Sequence, residues 1–133
     1  MTKLFDLELS REVAAKIEVI PQNCYHKAYL ALCQLGQGEY VEGYCLAKWL
    51  IFEHAWVEQG NKIIDVTYLN DLPRVYFAGL RFDGVKAVQE ATGNNLELPI
   101  FYRYGWGGSK NPDMVAAYQA AWLSLGNNPY WKV

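Results

Sequence analysis

Two apolar, strand-like runs separated by a short polar turn constrain this chain more than any other feature. Glu53-His54-Ala55-Trp56-Val57 is followed, after Glu58-Gln59-Gly60-Asn61, by Lys62-Ile63-Ile64-Asp65-Val66-Thr67. Runs of this kind joined by a turn predict an antiparallel pair. Alternation sends His54 and Trp56 to one face of the first strand, and Ile63, Asp65 and Thr67 to one face of the second. The pairing sets an imidazole beside a carboxylate. A one-residue change of register would separate them, so the juxtaposition depends on how the turn closes.

The other segments supply a support for that pair. Residues 1–9 form an arm with Leu4, Phe5, Leu7 and Leu9 available for docking. Ser10 is an N-cap for a helix to about Ile17. A second helix is predicted from Asn23 to Leu35, with Asn23 as cap, Cys24 at the first helical position and Gly36 as stop. Tyr40–Leu46 alternates as a strand, and Gly43 marks a bulge or a close backbone approach. Residues 47–52 read as a connection. Further strands are expected over Lys62–Tyr68, Val75–Phe82 and Leu98–Tyr104. A helix capped by Asp83 is expected over Gly84–Thr92, a loop over Gly105–Asn111, and a last helix from Asn111 or Pro112 to Leu125. The pattern predicts one α+β domain over residues 1–133, with N-terminal helices packed on an antiparallel sheet.

Composition narrows the function classes. With 133 residues and 52% hydrophobic content the chain can bury a real core and is not a disordered segment. A net charge of −2 and the lack of a basic stripe argue against nucleic-acid and anionic-membrane partners. No apolar run approaches the length of a transmembrane helix. The first residues lack the pattern of a secretory signal, and Cys24, Cys33 and Cys45 have no metal-knuckle spacing. Reduced thiols in the cytoplasm are the expectation. Cys33 and Cys45 read as buried apolar fillers.

Cys24 lies thirty positions before His54, at the start of a helix. A thiol attacks as thiolate, and both a helix N-terminus and a neighbouring imidazolium favour an anion. Asp65 would orient the imidazole from its other nitrogen. The Cys24 backbone N–H is a donor for a developing oxyanion, and Gln22, Asn23 and Glu42 are candidates for completing or supporting that network. Trp56 is expected beneath the site or as a cleft wall. His26 diverges from Cys24 by about 200° around a helix and is not placed to act as base.

Asn23-Cys24-Tyr25, Tyr40-Val41-Glu42-Gly43-Tyr44, Glu53-His54-Ala55-Trp56 and Ile64-Asp65-Val66-Thr67 together resemble the papain-like superfamily, nearest to its transglutaminase-like branch and its small bacterial and phage members. The resemblance covers roughly residues 22–68. Val66 stands where such proteins often have proline. It implies a papain-like fold with Cys24 as nucleophile, His54 as base and Asp65 as orienting carboxylate. The implied activity is thiol-dependent hydrolysis or acyl transfer on an amide or ester of a peptide, protein or small molecule, without cofactor or metal. The alternative expectation is a papain-like scaffold with little or no activity, serving as an interaction module through its aromatic residues.

Overall fold

A computed structural model describes residues 3–17, 23–93, 95–100 and 111–126. Five strands form one sheet in the order β1-β4-β3-β2-β5, where β1 is Leu4–Phe5, β2 Glu39–Ala47, β3 Leu50–Gln59, β4 Lys62–Ile64 and β5 Arg74–Asp83. All pairings are antiparallel except that of β1 with β4. The sheet is therefore mixed, not antiparallel throughout, because the N-terminal arm adds itself as an edge strand. Four helices accompany it among the described residues: α1 Leu7–Lys16, α2 Cys24–Leu35, α3 Val85–Ala91 and α4 Pro112–Leu125. The chain is α+β.

Local chemistry explains where several elements begin. Asp6, not Ser10, caps α1: its carboxylate accepts the Leu9 N–H at 2.9 Å. Asn23 caps α2 as its sequence predicts, accepting the His26 N–H, and Gly36 ends that helix in the left-handed region. Asp83 does not cap α3. It is the last residue of β5, and Gly84 precedes the helix without a side-chain cap. Asn111 caps α4 by accepting the N–H groups of Asp113 and Met114.

The strand boundaries move most around the hairpins. The connection expected over 47–52 is only Lys48-Trp49, with Lys48 at φ 57°. Lysine is not a residue that announces a positive φ, so the sequence conceals this tight turn. The next turn is Gly60-Asn61, and Glu58 and Gln59 belong to β3. β4 stops at Ile64, well short of Tyr68. The segment Leu98–Ile100 is irregular and not a strand, with the Ile100 N–H donated to Glu42 Oε2 at 2.6 Å. The expected strand residues 101–104 and loop residues 105–110 lie outside the described residues.

The two faces of the sheet differ. On one, Tyr40, Tyr44, Ala55, Val57 and Leu80 pack against Ala28 and Leu32 of α2, Val88 of α3, and Met114 and Ala117 of α4. On the other, a smaller cluster joins Val41, Trp56 and Ile63 with Phe5, Tyr76 and Ala78. A bulge fixes which β5 residue faces where. Glu42 pairs with Leu80 and Gly43 with Ala78, which leaves Gly79 as the extra residue. Tyr76 and Ala78 consequently share a face with His54 and Trp56, whereas Leu80 and Phe82 turn to the helices.

Candidate active site

Asp65 is the junction on which the site is built. It follows the last residue of β4, and its backbone N–H and both carboxylate oxygens are engaged. Its backbone N–H donates to Ser10 Oγ at 3.0 Å, and Ser10 in turn donates to the Asp6 carbonyl oxygen at 2.6 Å. Its Oδ1 accepts the Thr67 N–H at 3.0 Å, closing an Asx turn that bends the chain out of the sheet. Its Oδ2 accepts from His54 Nε2 at 2.7 Å and from the Tyr76 hydroxyl at 2.8 Å. One carboxylate thus both turns the backbone and holds the imidazole.

His54 and Asp65 are each only 1% exposed. Burial by itself lowers the basicity of an imidazole, but the hydrogen bond to Asp65, a hydrogen bond to the Cys24 side chain and the charges of both groups outweigh it. The His54 pKa is raised to about 9. Asp65 moves the other way: burial would raise its carboxyl, but the bonds from His54, Tyr76 and Thr67 hold it below the usual carboxylate range. With Nε2 committed to Asp65, Nδ1 is the ring nitrogen left for the sulfur.

Cys24 is half-buried at the first turn of α2, beside the imidazole. The sheet explains how a helix on one face reaches a side chain on the other. β4 pairs with residues 57–59 of β3, so among the described residues the stretch holding His54 has no strand partner on that side. The structure therefore brings together Cys24, His54 and Asp65. Of the other two thiols, one lies near the site: Cys45 pairs with Tyr76 and is close enough to Asp65 to feel its charge. Cys45 is buried, and burial pushes its pKa up to about 12. Cys33 is exposed, not a buried filler, and lies nine residues from Cys24, on the opposite side of the helix.

The supporting candidates divide. Asn23 sits next to Cys24, and its Oδ1 accepts the His26 N–H at 3.1 Å and lies 3.0 Å from His26 Nδ1, which fixes the side chain at the helix start. Gln22 lies outside the described residues. Glu42 is fully buried on the helix-covered face, where it accepts from Tyr40 and from the Ile100 N–H, both at 2.6 Å. It is not brought to the His54–Asp65 pair. Trp56 is fully buried under the histidine, not an exposed cleft wall. Its ring lies 6.0 Å from that of His54, and its Nε1 donates to Glu58 at 2.9 Å.

Three further residues belong to the site; Tyr68 and Tyr76 read from the sequence only as candidates for an aromatic binding face. Tyr76 and Ser10 hold Asp65, and Tyr68 lies with its ring 5.0 Å from the His54 ring. Ser10 read as a helix cap, and Tyr76 carries no signal until the β5 bulge is known.

No protein-family model, curated protein or solved structure matches the chain. Among the described residues, no helix is long and apolar enough to cross a membrane.

Proposed function

We propose that the chain is a cysteine hydrolase or acyltransferase of papain-like, transglutaminase-like design, acting on an amide or ester through an acyl-thioester on Cys24. The observation that carries this reading is the buried 2.7 Å bond between His54 Nε2 and Asp65 Oδ2, with the Cys24 thiol at the same imidazole. With the proton held on His54 Nδ1, the Cys24 sulfur attacks the carbonyl carbon. The oxyanion that forms takes the Cys24 N–H, a first-turn donor without an intrahelical acceptor. Collapse breaks the C–N or C–O bond, and the imidazolium protonates the leaving group. Water or an amine then attacks the thioester, giving its proton to His54 as the sulfur leaves. The fate of the acyl group follows from which nucleophile reaches the thioester.

The test is the reactivity of the thiol. Wild-type protein should take up one acyl group from an activated ester near neutral pH, and Cys24→Ala should take up none. His54→Ala should slow uptake by at least about a hundredfold. Equal labelling of wild type and Cys24→Ala, both folded, would falsify the reading.

The second reading is an inert scaffold of the same design that binds a protein partner. It draws on the exposed aromatic pair of α4, Tyr118 and Trp122, 42% and 52% exposed with ring centroids 6.2 Å apart. It requires a Cys24 no more reactive than the exposed Cys33.

A further inference from the structure

Tyr68 lies beside the imidazole that the Cys24 thiol meets, and its hydroxyl feels the charge of that sulfur. A carbonyl carbon under attack by Cys24, with a proton exchanged at His54, lies about 3–4 Å from the ring nitrogen. The Tyr68 ring centroid is 5.0 Å from that of His54 and inclined at 40°, and the residue is 37% exposed. Phe52, half-buried, meets both rings edge-on at 5.7 Å. The imidazole that meets the thiol is therefore flanked by an aromatic wall.

That wall is held in advance. Arg74 donates to the Tyr68 carbonyl oxygen at 3.0 Å, to the Asn70 carbonyl oxygen at 3.3 Å and to Asn70 Oδ1, which also accepts the Leu72 N–H at 3.1 Å. Its guanidinium lies over the Tyr68 ring, 5.6 Å from the centroid, and over Phe5 at 4.9 Å. The guanidinium is thus engaged by backbone carbonyls, the Asn70 side chain, the Tyr76 hydroxyl and two ring faces. Leu69 and Leu72, close to Tyr68 in sequence, are exposed apolar side chains. A half-exposed aromatic ring fixed by its surroundings binds apolar groups with little ordering cost.

We infer that Tyr68, backed by Phe52 and fixed by Arg74, forms a subsite for an aromatic or branched apolar group adjoining the carbonyl that Cys24 attacks. The inference rests on the thiol reading above for its catalytic meaning, but the subsite makes a binding claim of its own. It selects substrates with a bulky apolar side chain over those with glycine or acetyl at that place.

Two measurements test it. The first compares acylation by the p-nitrophenyl esters of 3-phenylpropionate and acetate. Wild type should favour the aromatic ester by roughly fivefold to tenfold. Tyr68→Ala should lose that preference and Tyr68→Phe should keep it. An unchanged preference in Tyr68→Ala, or none in wild type, overturns the subsite while leaving the thiol chemistry standing. The second needs no thiol: folded Cys24→Ala is titrated with N-acetylphenylalaninamide and with N-acetylglycinamide while the resonances of Phe52, His54 and Tyr68 are followed by NMR. Selective shifts with the phenylalanine compound support the subsite even if acylation fails. Equal responses to the two compounds overturn it.

Discussion

The Tyr76 hydroxyl donates to the same Asp65 oxygen that holds His54, at 2.8 Å against 2.7 Å. The two donors arrive from strands on opposite sides of β2, since β3 and β5 both pair with it. Tyr76 therefore ties the carboxylate to the far half of the sheet. Tyr76→Phe keeps the ring that packs edge-on at 4.9 Å against Trp56 and removes the donor to Asp65 together with a long 3.4 Å bond accepted from Arg74. Asp65 has a depressed folded-state pKa, so its contribution to stability is complete above its unfolded value near 3.8 and fades as pH falls through the folded one. Loss of a donor moves the folded value upward. Acid unfolding of Tyr76→Phe, followed by circular dichroism, should begin at higher pH than in wild type. Stability at neutral pH should fall by about 1.5–3 kcal/mol. Coincident acid limbs would show that Tyr76 does not bear on the carboxylate.

Ser10 makes a similar connection through the backbone. It is fully buried, and its hydroxyl bridges the first turn of α1 to the residue on which the site turns. Ser10→Ala strands the buried Asp65 N–H without an acceptor, at a cost of about 1–3 kcal/mol. Urea denaturation should show that loss. Acyl uptake at Cys24 should fall less than in an Asp65 variant, since Oδ2 still holds the ring.

The periods of the sequence exposed the pair and the helix start but not the groups that brace them. His54 and Asp65 could be placed together because each lies in an apolar run with a Gly-Asn turn between. Cys24 could be placed because Asn23 and Gly36 are local signals of a helix beginning and end, and those act over a few residues. Tyr76 could not be placed, because strict alternation would put Tyr76, Ala78, Leu80 and Phe82 on one face. The extra residue at Gly79 sends the first two to His54 and the last two to the helices. Ser10 was hidden for a related reason. A serine is as fit to cap a helix as to bridge from within one, and only the placement of Asp6 decides between them.

Gly43 lies opposite His54 in the β2–β3 ladder, next to the irregularity that Gly79 creates. A Cβ there would collide with the Phe77 carbonyl oxygen and press on the Trp56 ring. Both are obstacles without an easy retreat, one being backbone of the next strand and the other a fully buried side chain. Gly43→Ala should lower stability by about 2–3 kcal/mol, read as a shift in the urea midpoint. It should also weaken acyl uptake, because Trp56 and Tyr76 pack beside His54 and Asp65. A neutral substitution would mean that β5 can slide away from β2 without cost.

The same pair makes the protein sensitive at the alkaline end. A histidine raised from 6.5 to about 9 contributes stability that is complete below pH 6.5 and is lost as pH rises through 9. At about 1.4 kcal/mol per pH unit the loss is on the order of 3 kcal/mol. Unfolding free energy should decline across that interval in wild type. In Asp65→Asn the carboxylate's pull disappears while burial remains, so His54 should titrate well below 9, and the decline should shrink. An NMR titration of the His54 ring in both proteins measures this directly. The rate of acyl transfer should follow the same group: leaving-group protonation needs the imidazolium, so wild-type turnover should fall above pH 9. In Asp65→Asn that limb should move to lower pH, with turnover reduced by about a hundredfold or more. A His54 titration near 6.5 in wild type would separate the histidine from the carboxylate in solution and remove the basis for the alkaline limb.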